Sequence, residues 1–440
     1  MKKSISGLIA IGICGGTLCQ AQSMPPVRQL GPVTAVGKEA LGAVTTVRAL
    51  PDGRVLVNDI VGRRVLMFDS TLSTTTVVAD TTSATANAYG TRPGGLIAYR
   101  GDSSLFIDPA SLSMLLIDPN GRIGRVMSAP RAQDVGFLIG GPFGNPGFDA
   151  QGRLVYRAPP RFIFNGPPPS GNRPPQPPQI PDSAALVRFD LATRKLDTVT
   201  WFKTPKVNFS VVTAPDGGVR VTSVVNPLPQ GDDWAMLSDG SIAIVRGRDY
   251  HVDWVAAQGI TSAPKIPFEW ERMSDEQKVA FIDSAKVAME KARASGQFAA
   301  GFAGGFVRTT VDNGPAGGPA RDSAARGGAP RDGSPRQTTT TDAPQQLPPL
   351  TLVAPNDLPD YKPAFTPGST RADADGNLWI RTSHNVDGRP VYDVVNRKGD
   401  LVDRVQLPLN RQLAGFGPNG VVYLGVRDGR TAHLEKARLR

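Results

Sequence analysis

Four apolar runs in this sequence end on arginine. They are LVYR closing at Arg157, IAIVR at Arg246, LWIR at Arg381 and YLGVR at Arg427. A guanidinium presents a planar fork of N–H donors that matches a carboxylate or a phosphate, so these residues are candidates for binding an anion. Two other runs end on oxygen donors: VLVND on Asn58 and Asp59, and SLFID on Asp108. Such donors suit a hard divalent cation. The three histidines, His251, His384 and His433, show no paired spacing, so an imidazole-based zinc site is not expected. No G-x-S-x-G nucleophile elbow, P-loop or EF-hand loop is present. The residues therefore name no catalytic group, no resident metal and no cofactor.

The runs that end on these residues belong to a recurring phrase. PDGRVLVNDI at Pro51 is followed by GDSSLFIDPA at Gly101, AQGRLVYRAP at Ala150, SDGSIAIVRG at Ser238, ADGNLWIRTS at Ala374 and GPNGVVYLGV at Gly417. Each joins a tight turn to an apolar β-rich run, the signal of a hairpin. Further strand-like runs follow, such as RRVLMFD and TTTVVAD, and one precedes, such as GAVTTVRAL. That makes about four strands per unit. The intervals Gly53 to Ser103, Ser103 to Gly152 and Gly376 to Gly420 fit the ~40–50 residues of a propeller blade. The expected fold is an all-β, six-bladed β-propeller closed by an N-terminal strand, with a helical and disordered insertion. The segment MPPVRQLGPVTAVG is expected to pair into the last blade and so remove an exposed sheet edge.

Two intervals are too long for one blade. The first holds the Pro-rich stretch 159–182, expected as polyproline II, and a decorating hairpin from Val207. A seventh blade at that hairpin is the alternative. The second holds an insertion, 261–360, with a helix over 274–295 and a disordered segment over 301–349. Ser274 and Gln277 form a capping box for that helix, and Val279, Ile282, Ala285 and Met289 recur at helical spacing.

The chain contains 48 glycines and 40 prolines, well above the usual combined ~12%, which favours turn-rich β structure over a helical bundle. Its N-terminus reads as a signal peptide over 1–21: Lys2 and Lys3, a short apolar core, and small residues before a cut after Ala21. The propeller then covers 22–440, and the protein is expected in the periplasm or outside the cell. Both cysteines, Cys14 and Cys19, fall in the removed segment, leaving no disulfide and no thiol. No later stretch is apolar enough to span a membrane. The net charge of +10 favours anionic surfaces, but no Lys-rich run or aromatic–basic interleaving points to nucleic acid.

NDIVGRRVLMFD resembles the NHL-repeat phrase, with Asp59, Arg64, Val65, Phe68 and Asp69 matching in register. The whole chain is similar to exported bacterial six-bladed propellers of the NHL/TolB-like type. The resemblance implies fold, and such folds host binding modules, lactonases and lyases alike. NHL-like amidating lyases use a His-rich metal site, which three scattered histidines do not supply. Gluconolactonase-like propellers hold a channel cation with oxygen donors, for which Asn58, Asp59 and Asp108 are the candidates here. In a propeller, equivalent strand ends share one rim, so Arg157, Arg246, Arg381 and Arg427 would form a positive mouth. The plainer reading pairs each with a nearby acid such as Asp249, Asp387 or Asp428. The expected function is a monomeric, non-catalytic propeller that binds a protein partner or small anionic ligand. The alternative is a metal-dependent hydrolase or lactonase.

Overall fold

Each turn glycine named above lies between the first and second strands of an antiparallel meander. The structure is a computed structural model that describes residues 24–82, 87–163, 179–213, 219–256, 258–294 and 350–439. The signal segment, residues 164–178 of the Pro-rich stretch and the segment 301–349 lie outside the described residues. Among those described are six sheets of four or five strands and one of three. The first sheet runs Val44–Ala49, Val55–Asp59, Arg64–Phe68 and Thr75–Asp80. The second runs Gly95–Ala98, Ser104–Asp108, Ser113–Ile117 and Ile123–Ser128. The third runs Gly147–Phe148, Leu154–Arg157, Ser183–Phe189 and Leu196–Lys203. The fourth runs Asp233–Met236, Ile242–Arg246, His251–Ala256 and Gly259–Ser262. The fifth runs Arg371–Ala372, Leu378–Val386, Arg389–Val395 and Leu401–Gln406. The sixth runs Arg411–Gly417, Val421–Asp428 and Thr431–Arg438. This is the architecture of a β-propeller.

Side-chain alternation along the second strands explains the core. Successive residues of a strand point to opposite faces. In the first sheet Val55 and Val57 join a buried cluster with Tyr423 and Leu434 of the sixth, while Leu56 joins one with Phe106 of the second. In the second sheet Leu105 and Ile107 pack with Leu154 and Tyr156 of the third. Val155 then meets Ile242 and Ile244, Ala243 and Val245 meet Leu378 and Ile380, and Trp379 meets Val422 and Leu424. Both faces of every such strand are buried, so the sequence reads there as a continuous apolar run rather than an alternation. Each fully buried large side chain contributes ~1.5–3 kcal/mol.

The N-terminal segment does more than expected. Val33–Val36 pairs antiparallel with Thr431–Arg438 of the sixth sheet, as the sequence suggested. Val27–Gln29 instead pairs parallel with Leu401–Gln406 of the fifth. Gly31 and Pro32 break the segment into two short strands that serve two sheets. The segment from Val207 is a hairpin, Asn208–Thr213 with Val219–Val225, extended in parallel by Thr351–Leu352 into the three-stranded sheet.

A helix spans Asp275–Ala294. Gln277 Oε1 accepts from the Ser274 N–H at 2.7 Å, and the Gln277 N–H donates to Ser274 Oγ at 3.3 Å. The apolar spacing holds at Ile282, Ala285 and Met289, which are half-buried, but not at Val279. Val279 is exposed, whereas Lys278 is buried and reaches Asp360 Oδ1 at 2.6 Å. The long Lys278 stem supplies the apolar contact while its ammonium finds a carboxylate at the edge. Among the described residues no helix is long and apolar enough to cross a membrane.

Because strands alternate in direction, the propeller has two unlike rims. The turns joining first to second strands are short and tight. Gly240 shows why glycine is required: its φ is 81°, and a Cβ there would stand 2.2 Å from the Ala150 nitrogen of the neighbouring sheet. The other rim carries the connections between second and third strands and between sheets. Every long connection emerges there: from Arg157 to Ser183, from Lys203 to Asp233, and from Ser262 to Arg371.

Candidate functional site

Asn58, Asp59 and Asp108 all lie at that decorated rim, at the ends of second strands. Asp59 is fully buried. It accepts from the Gly42 and Ala43 N–H groups at 3.0 and 3.1 Å and from Gly62 N–H at 2.8 Å, with Arg64 Nε 3.5 Å away. Asp108 does the same in the second sheet, accepting from Gly90 and Ala110 N–H at 3.2 and 3.0 Å and from Ser111 Oγ at 2.5 Å. Each carboxylate ties the entering connection to its own sheet's turn. Asn58 donates to the Gly94 carbonyl at 2.8 Å, while its Oδ1 is buried without a partner. Asp59 and Asp108 do not fit as ligands of a channel cation, because the oxygens of both carboxylates already hold backbone donors. Among the described residues no group of three or more His, Cys, Asp or Glu is arranged to hold a metal ion.

The four arginines all lie on second strands, toward the decorated rim. They share no hydrogen bond, ion pair or ring contact with one another among the described residues. Register decides which neighbouring sheet each one faces: Arg157 lies on the face of Val155, toward the fourth sheet, and Arg246 on the face of Ile244, toward the third. Counted from the turn glycines, Arg157 and Arg381 occupy one position, Arg246 the next and Arg427 the one after. A one-residue step turns a side chain to the opposite face of its sheet. Arg381 lies opposite Tyr392 and Arg427 opposite Ala432; both arginines are exposed, and among the described residues neither is in an ion pair.

Arg246 is neutralised. Its Nε meets Asp253 Oδ2 and its Nη1 meets Asp232 Oδ2, each at 2.7 Å. Asp232 also accepts from Gly247 N–H at 3.0 Å, the turn contact that Asp59 makes in the first sheet. Where the first sheet places an acid at the strand end, the fourth places a base and takes its acid from the incoming chain. His251 lies between Asp249 and Asp253, at 2.7 and 3.2 Å. His384 Nε2 is 2.9 Å from the Glu269 carbonyl, and His433 is 3.6 Å from Glu435.

Arg157 is different from all of these. Its guanidinium lies 5.0 Å from the ring centre of Phe143, 5.9 Å from Phe202 and 6.0 Å from Phe137. Its Nε is buried and has no acceptor among the described residues. Burial pushes its pKa down to about 10, so it stays a cation at neutral pH.

Sequence reading missed the acid at the mouth of the fourth sheet. Asp233 opens that sheet's innermost strand and is buried. Its Oδ2 accepts from Thr370 N–H at 2.8 Å, tying the fourth sheet to the fifth beside Arg371, and burial raises its carboxyl. The adjacent acids of DDW before an apolar strand were the available signal.

No protein-family model matches the chain, and no curated protein matches it. Solved structures do resemble it. A gluconolactonase from Xanthomonas campestris is 10% identical over 96% of this chain and 100% of its own, with a TM-score of 0.37. A calcium-binding protein, regucalcin, from Agrobacterium tumefaciens is 8% identical over 94% and 98%, with a TM-score of 0.34. A PQQ-bound aldose sugar dehydrogenase from Streptomyces coelicolor is 12% identical over 94% and 100%, with a TM-score of 0.37. Likeness at this level assigns no residue a role. The expectation of a non-catalytic binding propeller is nonetheless corrected: similar chains are gluconolactonases and a luciferin-regenerating enzyme.

Proposed function

We propose that this chain is an exported, monomeric, six-bladed propeller that acts as a hydrolase or lactonase on a small substrate at its decorated rim. The propeller takes in 22–440, with insertions at 159–182 and 261–360, and its ring is closed by Val33–Val36. Six core clusters that pass from sheet to sheet and return to the first support the blade count. The NHL-like phrase is supported by Arg64, which lies directly opposite Asp59 in the strand pairing.

The inequality of the rims carries the enzymatic reading. Three long connections of the third and fourth sheets gather at one rim, the placement expected of residues that shape a site on a rigid scaffold. The same rim holds Arg157, Arg246, Asp233 and Arg371, a concentration of charge at the edge of an otherwise apolar barrel of sheets. Asp59 and Asp108, with their oxygens already filled, do not fit a cation, so no step is assigned to a metal.

The test is turnover. Mature protein beginning at Gln22 is assayed by pH-stat against aldonolactones and aryl esters, with and without added divalent cations. Hydrolysis of at least one substrate above a heat-denatured control is expected. A folded protein inert across the panel would overturn the reading. Intact mass of the exported protein checks the cut after Ala21.

A further inference from the structure

A guanidinium with no counter-ion needs an explanation wherever it is buried, because desolvating a charge is costly unless something answers it. Most partly buried arginines of this chain with a carboxylate at hand take it: Arg131 holds Asp134, Arg246 holds Asp232 and Asp253, and Arg411 holds Glu435. Arg157 takes none. Its surroundings are instead three phenylalanine rings. Rings can satisfy the faces of a guanidinium, but not the N–H groups around its edge.

The rings are set in place by a pinned loop. Phe137 ends the 3-10 turn Ala132–Phe137, and Phe143 ends Gly141–Phe143. Asp134 anchors the first turn by accepting from Arg131 Nε and Nη2 at 2.7 and 2.9 Å and from Tyr156 Oη at 2.5 Å. Trp234 Nε1 anchors the second by donating to the Phe143 carbonyl at 2.9 Å. Gly144 lets it come close, since a Cβ there would stand 2.2 Å from that nitrogen. Phe202 is buried, whereas Arg157, Phe137 and Phe143 are half-buried and keep surface open at the decorated rim. The cation and two aromatic edges are therefore both preorganised and reachable.

We propose that Arg157 anchors the carboxylate of a ligand whose adjoining body is apolar or aromatic, with Phe137 and Phe143 receiving that body. The planar fork of Arg157 suits a carboxylate, and the apolar walls strengthen the pair by excluding water. Only the description of this ligand as substrate or product rests on the enzymatic reading above.

Isothermal calorimetry on the mature protein tests it, with phenylacetate, benzoate and hexanoate as probes. Acetate serves as a carboxylate without the body, and 2-phenylethanol as the body without the charge. At least one aryl or alkyl carboxylate is expected to bind saturably, and both controls more weakly. Arg157→Gln is expected to weaken that binding roughly tenfold or more, whereas Arg381→Gln leaves it unchanged. Arg157→Gln is also expected to melt at or above the wild-type temperature, since it removes an unanswered charge and no ion pair. Saturable carboxylate binding that survives Arg157→Gln would overturn the proposal, as would the absence of binding across the panel. If Arg157→Gln fails to fold, Arg157→Lys decides: it keeps the charge, loses the fork, and is expected to lose most of the affinity. Binding without turnover would sink the hydrolase reading and leave this site standing. Turnover that Arg157→Gln does not alter, with no carboxylate bound, would do the reverse.

Discussion

Asp59 looks like a ligand in the sequence and behaves as a clasp in the structure. It holds three backbone N–H groups in a fully buried position. Asp59→Ala would leave those donors without an acceptor and is expected to cost about 3 kcal/mol in urea unfolding, independent of added Ca²⁺. A calcium-dependent loss would restore the metal reading. Asp393 is a second buried acid with a different consequence. It accepts from Tyr250 Oη at 2.9 Å and lies 3.4 Å from Arg404, yet its Oδ1 has no hydrogen bond. Burial pushes its pKa up to about 6, against the lowering pull of Tyr250 and Arg404. That is above the ordinary ~3.9, so the native state keeps a proton that the unfolded chain gives up. The resulting stability is full below about pH 4 and is lost as pH rises through about 6. Relative to Asp393→Asn, the wild type is expected to lose roughly 2 kcal/mol between pH 4.5 and 7.5 in paired urea titrations. A constant difference would show that the carboxyl does not titrate in this window.

At the scale of elements, the helix Asp275–Ala294 is an appendage rather than a core member. Its inward contacts are few, and Lys278 on Asp360 ties its first turn to the chain that leads back to the fifth sheet. Ser274→Ala removes the capping oxygen and is expected to destabilise this helix by about 1 kcal/mol. Hydrogen exchange should quicken in the helix alone, while the melting temperature of the sheets stays put. A drop in global melting would mean that helix and propeller unfold as one unit.

At the scale of the molecule, the N-terminal segment is where closure is tested. Removing residues 24–37 strips a strand from the fifth sheet and another from the sixth, uncovering the edges of Leu401–Gln406 and Thr431–Arg438. The truncated protein is expected to melt about 5 °C or more lower and to elute as aggregates in size-exclusion chromatography. Equal melting of both forms would refute closure by this segment.

Much of this was legible in the chain itself. Turn glycines at a blade-like interval and apolar runs with both faces buried are local properties, so VLVND, LVYR and IAIVR could be read as second strands from sequence alone. The capping box at Ser274 is local too. What the sequence could not decide is what a terminal residue meets on its side of the strand. Arg157 and Arg246 end nearly identical runs, but a one-residue offset from the turn sends them to opposite faces. One meets two carboxylates, and the other meets three phenylalanines contributed by a loop and a distant strand. Likewise Asp59 and Asp108 were identifiable as acids at a rim, but not as acceptors already filled by backbone donors from incoming connections. Partnership of that kind is set by how sheets stack around the ring, and only the tertiary structure supplies it.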